Sequence, residues 1–284
     1  MLAVSRKITG AAGRILSLRS QSLSISRMSK QNRSAAELLE ALEAHSGLVC
    51  LVGAGGKKTT LYRLAATHPG RVGVTATVHI PHFPKTLNAY KVVAEKSALL
   101  TKVVEAANQN RVVAFAQPSE KRARHAGVEP LLISQIHAAA SFDVTLIKAD
   151  GARSRLLKAP DENEPQVPLV THTVIPVVSA HAIGRPLTED IVHRVDRVAT
   201  ITGASEGETI TPAHLGKLLA SDDGALKGVG DAKVIPLIAM VDNEKLHVLA
   251  RQAAEHALML SRRFEHVVLA AMKKTEPLVE VVVR

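Results

Sequence analysis

The chain has 284 residues, a formal net charge of +10, 46% hydrophobic residues, 2% aromatics, no Trp and one cysteine. It has no apolar span long enough to cross a membrane, too few aromatics for stacking-based recognition of single-stranded nucleic acid, and too few cysteines for a disulfide framework or a cysteine-based zinc knuckle. The charge is local. Residues 1–36 hold Arg6, Lys7, Arg14, Arg19, Arg27, Lys30 and Arg33 and no acid. Taking these seven from the 36 basic residues leaves 29 against 26 acids, so the rest of the chain is nearly balanced and a nucleic-acid partner loses its support.

In chain order, residues 1–33 read as a basic, Ser-rich tail, either disordered or targeting-like, or as sequence ahead of a start at Met28. Residues 34–284 read as a single α/β domain. Ser34–Ala44 has helical spacing, and 48–52 is an apolar strand. A glycine loop leads to a helix over 59–67, stopped by Pro69-Gly70. Strand 71–77 precedes the Pro-interrupted loop 79–84. A helix at 98–107, a strand at 111–116, a helix at 130–140 and a strand at 142–149 follow. Later strands are expected at 172–178, 196–201, 233–240, 266–271 and 278–283, with helices at 212–220 and 244–263. Apolar strands alternating with helices predict a three-layer α/β fold: a mostly parallel sheet with helices on both faces. Ligands of such sheets bind beyond the carboxyl ends of the strands.

Val49-Cys-Leu-Val-Gly53-Ala54-Gly55-Gly56-Lys57-Lys58-Thr59-Thr60 reads as strand, phosphate-sized loop and helix. Glycines allow backbone amides to turn inward, the helix N-terminus attracts anions, and a lysine adds a full charge. The spacing is not a regular Walker A motif: it wants Gly at 51, which is Leu, and Ser or Thr at 58, which is Lys. A second motif, Val144–Asp150, is a strand ending in an acid beside the loop, where Asp150 could hold magnesium. His79 and His82 lack a third metal ligand and read as a solvent-facing loop. Arg122 and Arg124 could reach a phosphate, but they belong to a charge run, which reads as a solvated face.

Several ordered segments together resemble the YqeC-type accessory proteins of selenium-dependent molybdenum hydroxylases, a family with the P-loop nucleotide hydrolase fold. They are Val52–Lys57 with Thr59 and Thr60, Val74–Thr77, Ala149–Ala152, Leu157–Pro160, Glu164-Pro165, Gly184–Leu187 and His193-Arg194. The resemblance implies a P-loop NTPase-like protein that binds ATP or GTP with magnesium and supports maturation of a molybdenum-cofactor hydroxylase. On this reading Gly53, Ala54, Gly55, Gly56, Lys57, Lys58, Thr59, Thr60 and Lys158 bind the nucleotide. Lys57 and Asp150 are the catalytic pair, and Thr59 with Asp150 holds the metal. The alternative is a non-hydrolytic module that binds or delivers a nucleotide or a phosphate-bearing molybdopterin.

The chain departs from the family where charge matters. Lys58 replaces Ser or Thr, Lys148 replaces Glu, His181 replaces Asp, and Ala239-Met-Val-Asp242 stands where Asn-Lys-x-Asp is common. These changes favour phosphate binding over metal-assisted hydrolysis and leave the base open. Nucleotide and a molybdenum hydroxylase are the expected partners, with no nucleic acid and no membrane. The expected location is cytoplasmic, or an organelle if residues 1–28 are a transit peptide.

Overall fold

The computed structural model describes residues 30–284, so the tail expected over 1–33 lies almost wholly outside the described residues. Helix α1 (Lys30–Ala41) leads into β1 (Gly47–Gly53), the glycine loop and α2 (Lys57–Thr67). Strands β2 (Val72–Ala76), β3 (Ile80–Pro81) and β4 (Tyr90–Val93) precede α3 (Lys96–Ala107), β5 (Val112–Ala116), β6 (Arg124–His125), α4 (Pro130–Ala139) and β7 (Val144–Lys148). Next come β8 (Leu157–Lys158), β9 (Thr173–Ser179), β10 (Val192–His193), α5 (Val195–Thr202) and α6 (Pro212–Ala220). The chain closes with β11 (Lys233–Val234), β12 (Leu237–Ala239), α7 (Glu244–Leu260), β13 (His266–Ala270) and β14 (Leu278–Val283).

The main sheet runs β14-β13-β12-β9-β1-β7-β2-β5-β4, with β11 also paired to β9. Every pairing in it is parallel except β13 with β14. Strand β1 reads as a continuous apolar run because both of its faces are covered. Val49 and Leu51 pack in one core with Leu38 and Leu42 of α1 and Leu61 and Leu64 of α2. Leu48, Cys50 and Val52 pack in the other, with Leu99 of α3, Ile133 of α4, Leu215 of α6 and Ala253 of α7. The expected three layers are therefore present. Strand β1 lies between β7 and β9, and the chain leaves it toward β2 on one side and later crosses to β9 on the other. Its carboxyl end is the crevice where such sheets place ligands.

Two expected elements are corrected. Residues 196–201, expected as a strand from their β-branched content, form helix α5, because Val195, Val198 and Thr202 are buried at helical spacing while Asp196 is exposed. Gly203 ends it with φ 76°. The strand expected over 233–240 is two strands, because Pro236 has no N–H for the ladder. The loop expected over 79–84 contains β3, which pairs antiparallel with β6 and sets the His82 and His125 rings 4.5 Å apart.

Candidate functional site

The glycine loop takes its shape from β9. Gly53, Gly55 and Gly56 have φ of 89°, 68° and 150°, a region that side-chain-bearing residues avoid. A Cβ on Gly53 would lie 2.3 Å from Val177 O, and one on Gly55 would lie 2.4 Å from Ser179 Cβ. Three loop amides already have protein acceptors. Gly53 N–H donates to Asp150 Oδ2 at 2.8 Å, Ala54 N–H to Val177 O at 2.8 Å and Gly55 N–H to Arg155 O at 3.0 Å. The donors left for a ligand are the opening amides of α2, at Lys57, Lys58 and Thr59, which no helix can satisfy internally. Gly56, the N-cap, contributes no side-chain cap.

These residues face an open cleft of about 630 Å³, whose other walls include His79, Arg124, Lys148, Arg153 and Arg155. Arg153 and Ser154, both in the cleft wall, have φ of 44° and 63°, local strain of the kind that collects at binding sites. Lys148 ends β7, is 7% exposed, and donates to His79 O at 3.2 Å. Burial lowers its pKa from 10.5 to about 7, with Lys57 and Lys158 adding to the effect and Asp150 and Glu164 opposing it. The His79 pKa is lowered by burial and then by Lys121, Arg124 and Lys148.

Behind the loop lies a chain of buried charges. Lys57 Nζ sits 2.7 Å from Asp150 Oδ1 and also donates to Gly53 O. Lys158 Nζ sits 2.9 Å from Asp150 Oδ2 and 2.5 Å from Glu164 Oε2, and donates to Gly151 O at 2.7 Å. Arg194 pairs with Glu164 at 2.9 Å and with Asp161. Burial lowers the Lys57 pKa against the pull of Asp150. For Glu164 burial acts upward, but the Lys158 hydrogen bond and charge, the Gly151 amide and Arg194 together hold it below its ordinary value. Removing Asp150 would leave the buried Lys57 without its carboxylate partner.

The expected site residues thus separate into two groups. Gly55, Gly56, Lys57, Lys58 and Thr59 line the cleft. Gly53, Asp150 and Lys158 line a cavity of about 20 Å³ behind the loop, while Ala54 and Thr60 are buried. The structure brings Lys57 and Asp150 together, but as partners of each other. It does not bring Thr59 and Asp150 to one cavity. Magnesium needs open carboxylate oxygens; Asp150 Oδ2 meets the Lys158 ammonium and the Gly53 amide, and Oδ1, which makes no hydrogen bond of regular geometry, still faces the Lys57 ammonium at 2.7 Å, so the residues as arranged do not fit that ion. Sequence reading left Arg153 and Arg155 out of the site, although their place directly after Asp150-Gly151 was a usable signal. Arg124, read as part of a solvated face, is exposed and stands at the wall of the open cleft, where the β3–β6 pairing places it.

The family described as "YqeC protein" matches residues 49–196. The chain belongs to the YqeC family. Its match to "Uncharacterized protein YqeC" of Escherichia coli (strain K12) is 33% identical over 187 residues, 64% of this chain and 71% of the relative. The matched family region holds the loop, Lys148, Asp150, Lys158, Glu164 and Arg194, so both the cleft and the charge chain are built from it. Among solved structures, this YqeC-family chain is similar to HypB from Helicobacter pylori, crystallised in complex with nickel. That match has a TM-score of 0.37 and 15% identity, covering 87% of this chain and 89% of that one.

Proposed function

We propose that this chain is a nucleotide-binding accessory protein in which the opening amides of α2 take the terminal phosphates of ATP or GTP. Lys58, Lys148, Arg153 and Arg155 balance the phosphate charge. One observation carries the reading: a helix N-terminus, entered through three positive-φ glycines, opens on a cleft walled by cations. The enzyme it serves, by the resemblance of its motifs, is a molybdenum-cofactor hydroxylase.

The non-hydrolytic form of this function, binding and delivery of a nucleotide or a phosphate-bearing molybdopterin, is favoured by Asp150. Its carboxylate is engaged with Lys57 and Lys158 rather than turned to the cleft. Lys57 and Asp150 then shape the loop instead of driving hydrolysis. The test is a thermal-shift panel of ATP, GTP, CTP and a molybdopterin nucleotide, with and without magnesium. A ligand at about 100 times its Kd stabilises the native state by about 2.7 kcal/mol. No stabilisation by any of the four would end the proposal. Magnesium-dependent phosphate release that disappears in Asp150→Asn would restore the hydrolase reading.

A further inference from the structure

Lys148 is 7% exposed and lines the same cleft as the residues that open α2. Among the described residues its one side-chain hydrogen bond, to His79 O at 3.2 Å, uses one of three N–H donors. Asp150 and Glu164, the carboxylates of the neighbouring charge chain, are already committed to lysine and arginine partners. An anion entering the cleft therefore meets a desolvated cation that lacks a counter-charge of its own. Such a pairing is worth more than one at a hydrated surface, since a charge-assisted hydrogen bond gains strength in low dielectric.

We infer that Lys148 occupies the role of a divalent cation in this cleft, so that polyphosphate is bound without a metal. The inference rests on the phosphate-binding reading above and adds what neutralises the ligand. The nearby carboxylate is tied up by lysines, and the residue two positions before it offers an ammonium in place of a metal, whose charged form an entering anion favours. The ligand class is a nucleoside polyphosphate or inorganic pyrophosphate in its free, uncomplexed form.

The test is calorimetric titration of the full chain with ATP and with inorganic pyrophosphate, each in EDTA and in excess magnesium. It is repeated for Lys148→Met, Lys148→Arg and Lys148→Glu, with circular dichroism to establish that each variant is folded. The parent is expected to bind at least as tightly in EDTA as in magnesium. Lys148→Met should weaken EDTA binding by about tenfold or more, as expected for losing one charged hydrogen bond. Lys148→Arg should retain most of the affinity, and Lys148→Glu should bind only when magnesium is present. Binding by the parent only with magnesium, or an unchanged EDTA affinity in Lys148→Met, would overturn the inference while leaving phosphate binding intact. Absence of binding to either probe under both conditions would overturn the phosphate reading and this inference together.

Discussion

The two sides of the glycine loop are built on opposite principles. Behind it, Lys57, Asp150, Lys158, Glu164 and Arg194 alternate in sign, are mostly buried, and pair with one another at 2.5–2.9 Å. In front of it, Lys58, Lys148, Arg153 and Arg155 share a sign and face an open cleft. A buried alternating chain contributes rigidity and is costly to break at Asp150, which two lysines share. A same-sign open wall weakens the free protein slightly and becomes favourable when an anion arrives. The contrast teaches that Lys57 of the glycine loop is tied into the scaffold, and that most of the cations facing the cleft, Lys148, Arg153 and Arg155, lie outside the loop.

The sharpest way to break this comparison is Asp150→Ala. It leaves Lys57 and Lys158 buried without their shared counter-ion, which costs about 3–5 kcal/mol for a buried pair losing one partner. For a chain of this size that is a fall in Tm on the order of 10 °C, readable by calorimetry. A stable Asp150→Ala that has lost only ligand binding would place Asp150 on the ligand side instead. Next in size is Gly55→Ala. The added Cβ meets Ser179 Cβ at 2.4 Å and Leu156 O at 2.5 Å, at a φ of 68°. A loss of about 1–3 kcal/mol is expected for such strain, measured by urea unfolding. No loss would mean that β9 does not set the loop.

A third test uses pH. The folded-state pKa of Lys148 is about 7, against 10.5 ordinarily. Below 7 both folded and unfolded states hold the proton, and the cost of the buried charge is constant. Between 7 and 10.5 the unfolded chain holds a proton that the folded chain lacks, so stability rises with pH, at most by about 1.4 kcal/mol per unit. Lys148→Met should flatten that slope in unfolding free energies measured at pH 7, 8 and 9. An unchanged slope would show that Lys148 is solvated, and the contrast between the two sides would lose its strongest cation.

What could be read from sequence follows the range of the forces involved. Strand β1, the loop and α2 announce themselves within residues 49–65 because an apolar run, glycines and a helical pattern are local signals. Helix α5 was misread because Val195, Val198, Ile201 and Thr202 favour strands intrinsically, and only packing against the rest of the core decides otherwise. The two-residue strands β8 and β10 are invisible locally, since they pair with each other across the 33 residues that separate them. The charge chain is of the same kind. Lys158 and Arg194 look like ordinary surface cations until β8 and β10 dock and carry them onto Asp150 and Glu164.

The smallest expected effect is the most discriminating for the comparison, and Cys50 reports it. This thiol is buried in β1, three residues before the loop, 3.5 Å from Thr171 Oγ1, and burial pushes its pKa up to about 12, against the opposing Thr171 hydrogen bond. It should react with a disulfide reagent at pH 8 only through transient opening of the protein, because the thiolate is the nucleophile. Lys58→Ala, an exposed substitution on the cleft side, should change stability by less than about 0.5 kcal/mol and leave the labelling rate of Cys50 as in the parent. Asp150→Asn, which keeps the shape but removes the charge that both lysines share, should speed the labelling. If Lys58→Ala sped it equally, the two sides of the loop would be one cooperative unit, and the division between scaffold and ligand wall would not hold.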